Sequence, residues 1–441
     1  MSNSTSDFQG WVDQPNTRGT FDIIQSSFLT IFFCTWTCLH LNVPAPNEGY
    51  WRPILRKFRW MVLTIFAPEF VFALAAGQRC DAKRVLDSLK RMGYHEWTLR
   101  HCFYSNMGGF VLHPRDSVPF PIHGFHFRWL LRNGYIELPS LKTEEIKDKS
   151  KADDFTKIVV CLQTGWFVLQ CLARAAQRLP LTTLELLTMT YVWCTWAIYV
   201  EWLRKPLDVE VPMILKTEAS TEEILIYAGP TAACPYRRTP LDFVWEGSPS
   251  WTLDFQPNLG FRLDPRRRPM PRILNDLLPR FKEASDIVIV NVVILAYAAI
   301  HLSGWNFTFQ TQTEKTLWRI ASLIILCTVA IFCILARVIP LRILSTIYPF
   351  RISERKVTPR SIFYVSTGKL ERIVGGPGLP IRNRKEEKHV HDQIRILAAA
   401  PIVIVYVLAR LCVMVEAFVA LRALPRGCFE NVNWTAFIPH F

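Results

Sequence analysis

Apolar residues in this chain fall in long runs, not in the short alternations of a soluble domain. A helix of about 20 mostly apolar residues crosses roughly 30 Å of hydrocarbon. Five segments meet that length: 21–43, 155–174, 182–202, 287–305 and 317–339. A sixth, 396–421, is long enough but carries Arg410 and Glu416. A seventh, 60–78, holds Pro68-Glu69 near its middle. Proline frees a backbone carbonyl and glutamate is costly against lipid, so this last segment is expected to break.

The pattern predicts an all-α polytopic transmembrane bundle with sizeable cytosolic loops. Its expected divisions are a polar N-terminus (1–20), a first span with the broken segment (21–80) and a cytosolic region (81–154). A transmembrane hairpin (155–203), a Pro/Arg-rich cytosolic loop (204–286) and a second hairpin (287–340) follow. A basic loop (341–394) and a last span with its tail (395–441) complete the chain. Region 81–154 opens with Val85, Leu86, Leu89 and Met92 at helical spacing. Residues 272–283 read as a basic amphipathic helix on the cytosolic leaflet.

Charge adds orientation. The chain carries a net charge of +14. With apolar spans present, that excess reads as basic loops held at an anionic cytosolic membrane face, not as nucleic-acid binding. The short loop 45–59 carries Arg52, Arg56, Lys57 and Arg59, and 342–394 holds 11 Lys/Arg against 5 Asp/Glu. If all seven segments cross, these two regions lie on opposite sides, against the positive-inside rule. Six spans plus a re-entrant or interfacial helix at 60–78 put every basic region in the cytosol, and seven true spans are the alternative. With six, the sequons at Asn3, Asn306 and Asn433 all face outward as glycosylation acceptors. The 12 cysteines form no C-x-x-C pair and fall mostly in or beside apolar runs, as packing residues.

Several motifs resemble those of a large family of fungal multi-spanning membrane proteins. They are Arg18-Gly-Thr-Phe-Asp-Ile-Ile, Cys34-Thr-Trp-Thr, His40-Leu-Asn-Val-Pro, Ala67-Pro-Glu-Phe and Met107-Gly-Gly-Phe. Asp148-Lys-Ser-Lys-Ala-Asp, Gln170-Cys-Leu-Ala-Arg, Lys205-Pro-Leu-Asp-Val and Ile438-Pro-His complete the set. The resemblance spans nearly the whole chain. It implies a multi-spanning architecture in a fungal endomembrane such as the endoplasmic reticulum, or in the plasma membrane, and brings no activity with it.

Ionisable and polar groups inside spans are the leads to chemistry, because each is costly there unless paired or hydrated. Glu69 and Glu185 are the expected proton donors or acceptors of a buried cavity. Arg174 and Glu185 flank the short loop 175–181, so the bland reading pairs them across the hairpin. His40, Gln170, Arg174, Arg410 and Glu416 are candidates for a substrate or ion path; Arg410 and Glu416, six apart, point from different helix faces. His95 and His101, His123 and His126, and His389 and His391 lack a zinc-type spacing, so no metal is expected, nor any cofactor. No G-x-S-x-G, Walker or H-E-x-x-H motif is present, and Gly108-Gly109 is not a dinucleotide fingerprint.

Three functions remain open. The first is an intramembrane enzyme that cyclises or isomerises a lipophilic small molecule, as in fungal specialised metabolism. The second is a transporter or channel for an ion or anionic solute. The third is a membrane scaffold or sensor. Expected partners are the bilayer, anionic lipid at its cytosolic face and a lipophilic small molecule, without nucleic acid; oligomeric state is left open.

Overall fold

Proline at the first position of a helix meets no steric penalty, but it ends any helix that precedes it. In a computed structural model of the chain, that rule acts at Pro68. The structure describes residues 8–14, 18–46, 48–148, 150, 153–232, 236, 238–244, 269–275, 281, 283–338 and 384–437.

After a two-residue strand, β1 (Phe8–Gln9), helix α1 (Thr20–Phe32) continues as a π-helical turn over Phe33–Thr37. Helix α2 (Trp51–Phe66) stops at Ala67, and α3 (Pro68–Arg91) departs at 114° to it. The break falls where Pro68-Glu69 predicts it. Helix α3 then joins two stretches that read separately in the sequence, the apolar one around Phe72–Ala76 and the amphipathic one containing Val85 and Leu89.

Helix α4 (Leu99–Asn106), strands β2 (Phe110–His113) and β3 (Phe120–Ile122), and helices α5 (Gly124–Arg132) and α6 (Thr143–Asp148) follow. Next come α7 (Asp153–Ala176) and α8 (Thr183–Glu201), strand β4 (Met213–Lys216) and helix α9 (Thr221–Ala228). The chain closes with α10 (Ala284–Leu302), α11 (Gln312–Val338), α12 (Arg384–Val419) and strand β5 (Leu424–Pro425), which pairs antiparallel with β1.

Among the described residues, four helical stretches are long and apolar enough to cross a membrane: Phe155–Ala176, Ala284–Asn306, Gln312–Ile334 and Ala400–Arg422; a fifth is counted if the bent α2–α3 pair is one span. This is compatible with a membrane protein. Length and composition therefore support four spans and not the expected six, because α1 is only 13 residues long and α8 does not reach the same hydropathy. Helix α8 is polar for a reason. It packs against α1, α3, α7, α10 and α12, so protein neighbours, not lipid, meet its threonines. Thr188 and Thr190 donate to carbonyls of their own helix, and Thr195 donates to the Cys34 carbonyl of the π-helical turn at 3.1 Å. Around this post the outer helices present apolar stripes outward, as in Phe155, Ile158, Leu162 (70% exposed), Leu169 and Leu172 of α7. Hydrocarbon is the solvent that such a surface suits.

The regions 81–154 and 204–286, which read as separate loops, share one small mixed sheet, so the fold is mostly helical and not purely so. Strand order is β3-β2-β4, with β2 antiparallel to β3 and parallel to β4. The connection between the parallel strands passes through α5 to α8. Stacked Trp97, Phe110 and Phe127 form its core, and Tyr104 stands edge-on to Phe110. Half of the expected helix 272–283 lies outside the described residues. Its first residues are not helical: Ile273 and Leu274 are buried, and Leu274 offers its carbonyl to the Asn42 side chain at 2.9 Å. The basic run 266–268 and the stretch 339–383 lie outside the described residues.

Gly109 tests this packing, since a Cβ there meets the Tyr104 ring at 2.5 Å. Gly109→Ala is expected to destabilise by roughly 1–3 kcal/mol, the scale of overpacking a closed core. Thermal unfolding in detergent measures it, and an unchanged midpoint contradicts the packing described.

Candidate functional site

The tip of the α2–α3 bend leaves backbone groups unpaired deep among helices, where they need partners. Tyrosines supply them. The Tyr191 hydroxyl of α8 donates to the Ile65 carbonyl at 2.7 Å, and the Tyr406 hydroxyl of α12 reaches the Phe66 carbonyl at 3.5 Å. Tyr297 of α10 stands 3.5 Å from Tyr406, oxygen to oxygen. Glu69, in the first turn of α3, sits beside the Tyr406 and Tyr297 hydroxyls.

Arg410 occupies the centre of this cluster and is fully buried. Its Nη1 donates to His301 Nε2 at 2.6 Å, and its guanidinium lies 5.0 and 5.5 Å from the Tyr191 and Tyr297 ring centroids. His301 Nδ1 meets the Tyr297 carbonyl at 3.2 Å. A ring that donates from Nδ1 to a carbonyl has its lone pair on Nε2, so the two bonds together assign the neutral Nδ1–H tautomer. Arg410 is therefore held by an acceptor lone pair and by aromatic faces, with Glu69 as the nearby opposite charge. The helices thus gather one carboxyl, one guanidinium, one imidazole and three phenols in a buried interior.

The other expected residues lie elsewhere. Among the described residues, Glu69 and Glu185 have no hydrogen-bond or ion-pair partner in common. Glu185 accepts from the Thr182 backbone N–H and hydroxyl at 2.9 Å each, closing a capping box on α8, and pairs with Arg18. Arg18, not Arg174, is thus its ion-pair partner. Arg174 spends its donors on the carbonyls of Pro180, Gly427, Cys428 and Glu430 at 2.8–3.3 Å. That ties the α7–α8 turn to the C-terminal segment, a bracing role instead of a path. Gln170 is half-buried on α7. Glu416 is buried near Glu314 and Arg422, which pair with each other. Asn306 and Asn433 are exposed, and Thr435 donates to the Asn433 side chain at 2.6 Å; Asn3 lies outside the described residues.

His40 points to a second polar centre. Its carbonyl, with Asn42 Oδ1 and Gln78 Oε1, receives Lys205 Nζ at 2.5, 3.4 and 2.8 Å, and the ammonium lies 4.7 Å from the Trp202 ring centroid. Asn42, Gln78, Asp81, Asn106, His123 and Lys205 line a cavity of about 20 Å³, room for one water. The acceptors favour the ammonium and burial opposes it. Burial is the larger effect and draws Lys205 from its ordinary 10.5 down to about 7. Burial likewise holds His123 well below its usual value. Among the described residues, no group of three or more His, Cys, Asp or Glu side chains is placed to hold a metal ion, and the eleven described cysteines are free thiols.

Sequence reasoning missed Lys205, His301 and the three tyrosines. His301 was findable, since it is an ionisable group inside an apolar run. The tyrosines carry no such signal, because aromatic residues in spans are ordinarily packing.

The chain matches the profile of a family of unknown function, DUF8562, over residues 1–229 and 357–441. It belongs to that family. The two matched stretches contribute Glu69, Tyr191, Tyr406 and Arg410, while Tyr297 and His301 lie in the segment between them. No curated protein and no solved structure matches the chain.

Lys205 makes a signed prediction. Between about pH 7 and 10.5 the unfolded chain keeps a proton that folded Lys205 has released, so this residue's contribution to stability rises with pH across that window. Its cost is complete below pH 7. The midpoint of the natural chain relative to Lys205→Met should therefore rise with pH above 7, and a difference independent of pH would contradict the assignment.

Proposed function

We propose that the chain is an integral membrane enzyme whose Glu69 transfers protons to or from a lipophilic small molecule held in the Arg410 cluster. One observation carries this reading: the α2–α3 bend delivers a carboxyl to a buried set of proton donors and acceptors fixed by a permanent cation. A carboxyl, an imidazole and phenols are general acid–base groups. In a site that excludes water their reach is not diluted by solvent exchange.

The membrane arrangement proposed with it has six crossings, α1 with its π-helical turn, α7, α8, α10, α11 and α12, while α2–α3 re-enters. Support comes from the two ends of the bundle. Lys57–Asp208, Arg79–Glu201 and Cys80–Asp286 join the base of the α2–α3 hairpin to residues following α8 or ending it and to the start of α10. Arg18–Glu185 and Arg422–Glu314 join the start of α1, the start of α8, the start of α11 and the residues after α12. Helices whose starts and ends alternate between these two groups run across the bundle, whereas both ends of α2–α3 return to one group. In this arrangement Asn306 and Asn433 share the outer face as glycosylation sites, and anionic lipid meets the basic cytosolic side. The fungal setting and a role in specialised metabolism are part of the same proposal and rest on the motif resemblance.

The break at Pro68 also favours a second reading, a carrier in which the re-entrant tip and Arg410 serve an anionic solute. Proteoliposome flux distinguishes it.

Two tests follow. Glu69→Gln, expressed to equal membrane levels in a common host, should lower by about 100-fold or more the lipophilic products that distinguish the host carrying the natural gene from the empty host. Unchanged extracts overturn the catalytic assignment. Asn306→Gln and Asn433→Gln should each remove one endoglycosidase-sensitive step in gel mobility; insensitivity of the natural chain refutes the orientation.

A further inference from the structure

Arg410 has five N–H groups, and the hydrogen bond to His301 uses Nη1. Its Nε and Nη2 are buried with no hydrogen-bond acceptor among the described residues. These two nitrogens are not a random remainder. They form one edge of the guanidinium, the pair of parallel donors that grips the two oxygens of a carboxylate or phosphate side-on. His301 takes Nη1 at 2.6 Å and so orients the group with that edge open. Tyr191 and Tyr297 lie with their rings against the guanidinium, and the Tyr191 hydroxyl also comes within reach of it.

Glu69 is the natural candidate to fill the fork, yet it does not. Its Oε2 is itself buried and without a hydrogen-bond partner among the described residues, while its carboxyl lies beside the Tyr406 and Tyr297 hydroxyls. Two open donors on one residue and an open oxygen on its neighbour therefore meet in one buried cluster. The group that satisfies both accepts two hydrogen bonds from arginine and shares a proton with a carboxyl. An oxyanion does this. It also balances charge, since the guanidinium then faces one negative charge spread over Glu69 and the ligand with a single proton between them.

We propose that the Nε–Nη2 edge of Arg410 binds the oxyanion end of a lipophilic substrate, a carboxylate or phosphate on an apolar chain. The inference rests on the reading of this cluster as the active site and names its substrate class. The apolar part follows from position. Arg410 lies on α12, whose outward face carries Val403, Ile404, Leu408 and Leu411, so a ligand reaching it meets hydrocarbon-like surface and not water.

The test uses the full chain purified in a neutral detergent, with carboxyl-¹³C oleate, methyl oleate and oleyl phosphate as probes. Oleate should raise the unfolding temperature saturably and show a bound carboxyl resonance that does not titrate between about pH 5 and 8, because the arginine charge holds the ligand and Glu69 at one shared proton across that range. Methyl oleate should do neither. Arg410→Lys keeps the charge and loses the paired edge, so it should weaken oleate by at least roughly tenfold. A response to oleyl phosphate that exceeds the response to oleate assigns the oxyanion as phosphate. The proposal is overturned if oleate and its ester act alike on the natural chain, or if neither anion binds and the edge holds only water. The comparison on the natural chain decides the matter even where Arg410→Lys does not fold. Binding is read without turnover, so an oxyanion site with Glu69-independent products rejects the enzyme alone, and Glu69-dependent products without anion binding reject this inference alone.

Discussion

A helix cannot end inside a dry bundle unless something donates to its last carbonyls, nor begin there unless something accepts from its first N–H groups. The α2–α3 bend is such an end, and the arrangement around it follows from that need. Pro68 stops α2, Tyr191 and Tyr406 take up the carbonyls that the break releases, and those tyrosines come from α8 and α12. Satisfying the backbone therefore draws phenols to one point. Glu69 is carried there because it follows the proline directly.

The same constraint explains the threonines of α8. A helix packed against five others does not need an apolar circumference, and its threonines can bond to carbonyls of its own helix or of its neighbours. Helix α7 has the opposite problem. One face lies against α8 and the other is a stripe of exposed Phe, Ile, Leu and Trp. At the ends of the bundle charged residues act as braces. Arg174 serves four backbone carbonyls, and Arg18 with Thr182 occupies both oxygens of Glu185. These groups are satisfied, whereas Arg410 and Glu69 keep open positions. Burial alone does not separate the two cases, since Arg174, Glu185, Glu69 and Arg410 are all largely or wholly buried.

Part of the site was legible in advance. Glu69 and Arg410 stand out because ionisable residues in apolar runs are expensive, and the break at Pro68 follows from the chemistry of proline alone. Glu185 carried the same signal and belongs to a helix cap. The rule detects cost, and an N-terminal capping box offsets that cost as well as a catalytic partner does. Lys205 was passed over because it sits just beyond an apolar run, where a lysine ordinarily reaches water. Here the loop before α2 and the middle of α3 fold over it.

The sequence by itself determined the long apolar runs, the helix break at Pro68 and the presence of charges that hydrocarbon would not tolerate alone. These are properties of single segments, set by side-chain transfer energies and by the missing N–H of proline. Only the tertiary structure decided which charges are braced and which stay open, that 81–154 and 204–286 share a sheet, and that residues from α3, α8, α10 and α12 converge on one guanidinium. Those outcomes depend on how helices are seated against one another, and a one-dimensional pattern of polarity does not encode which face of one helix meets which face of the next.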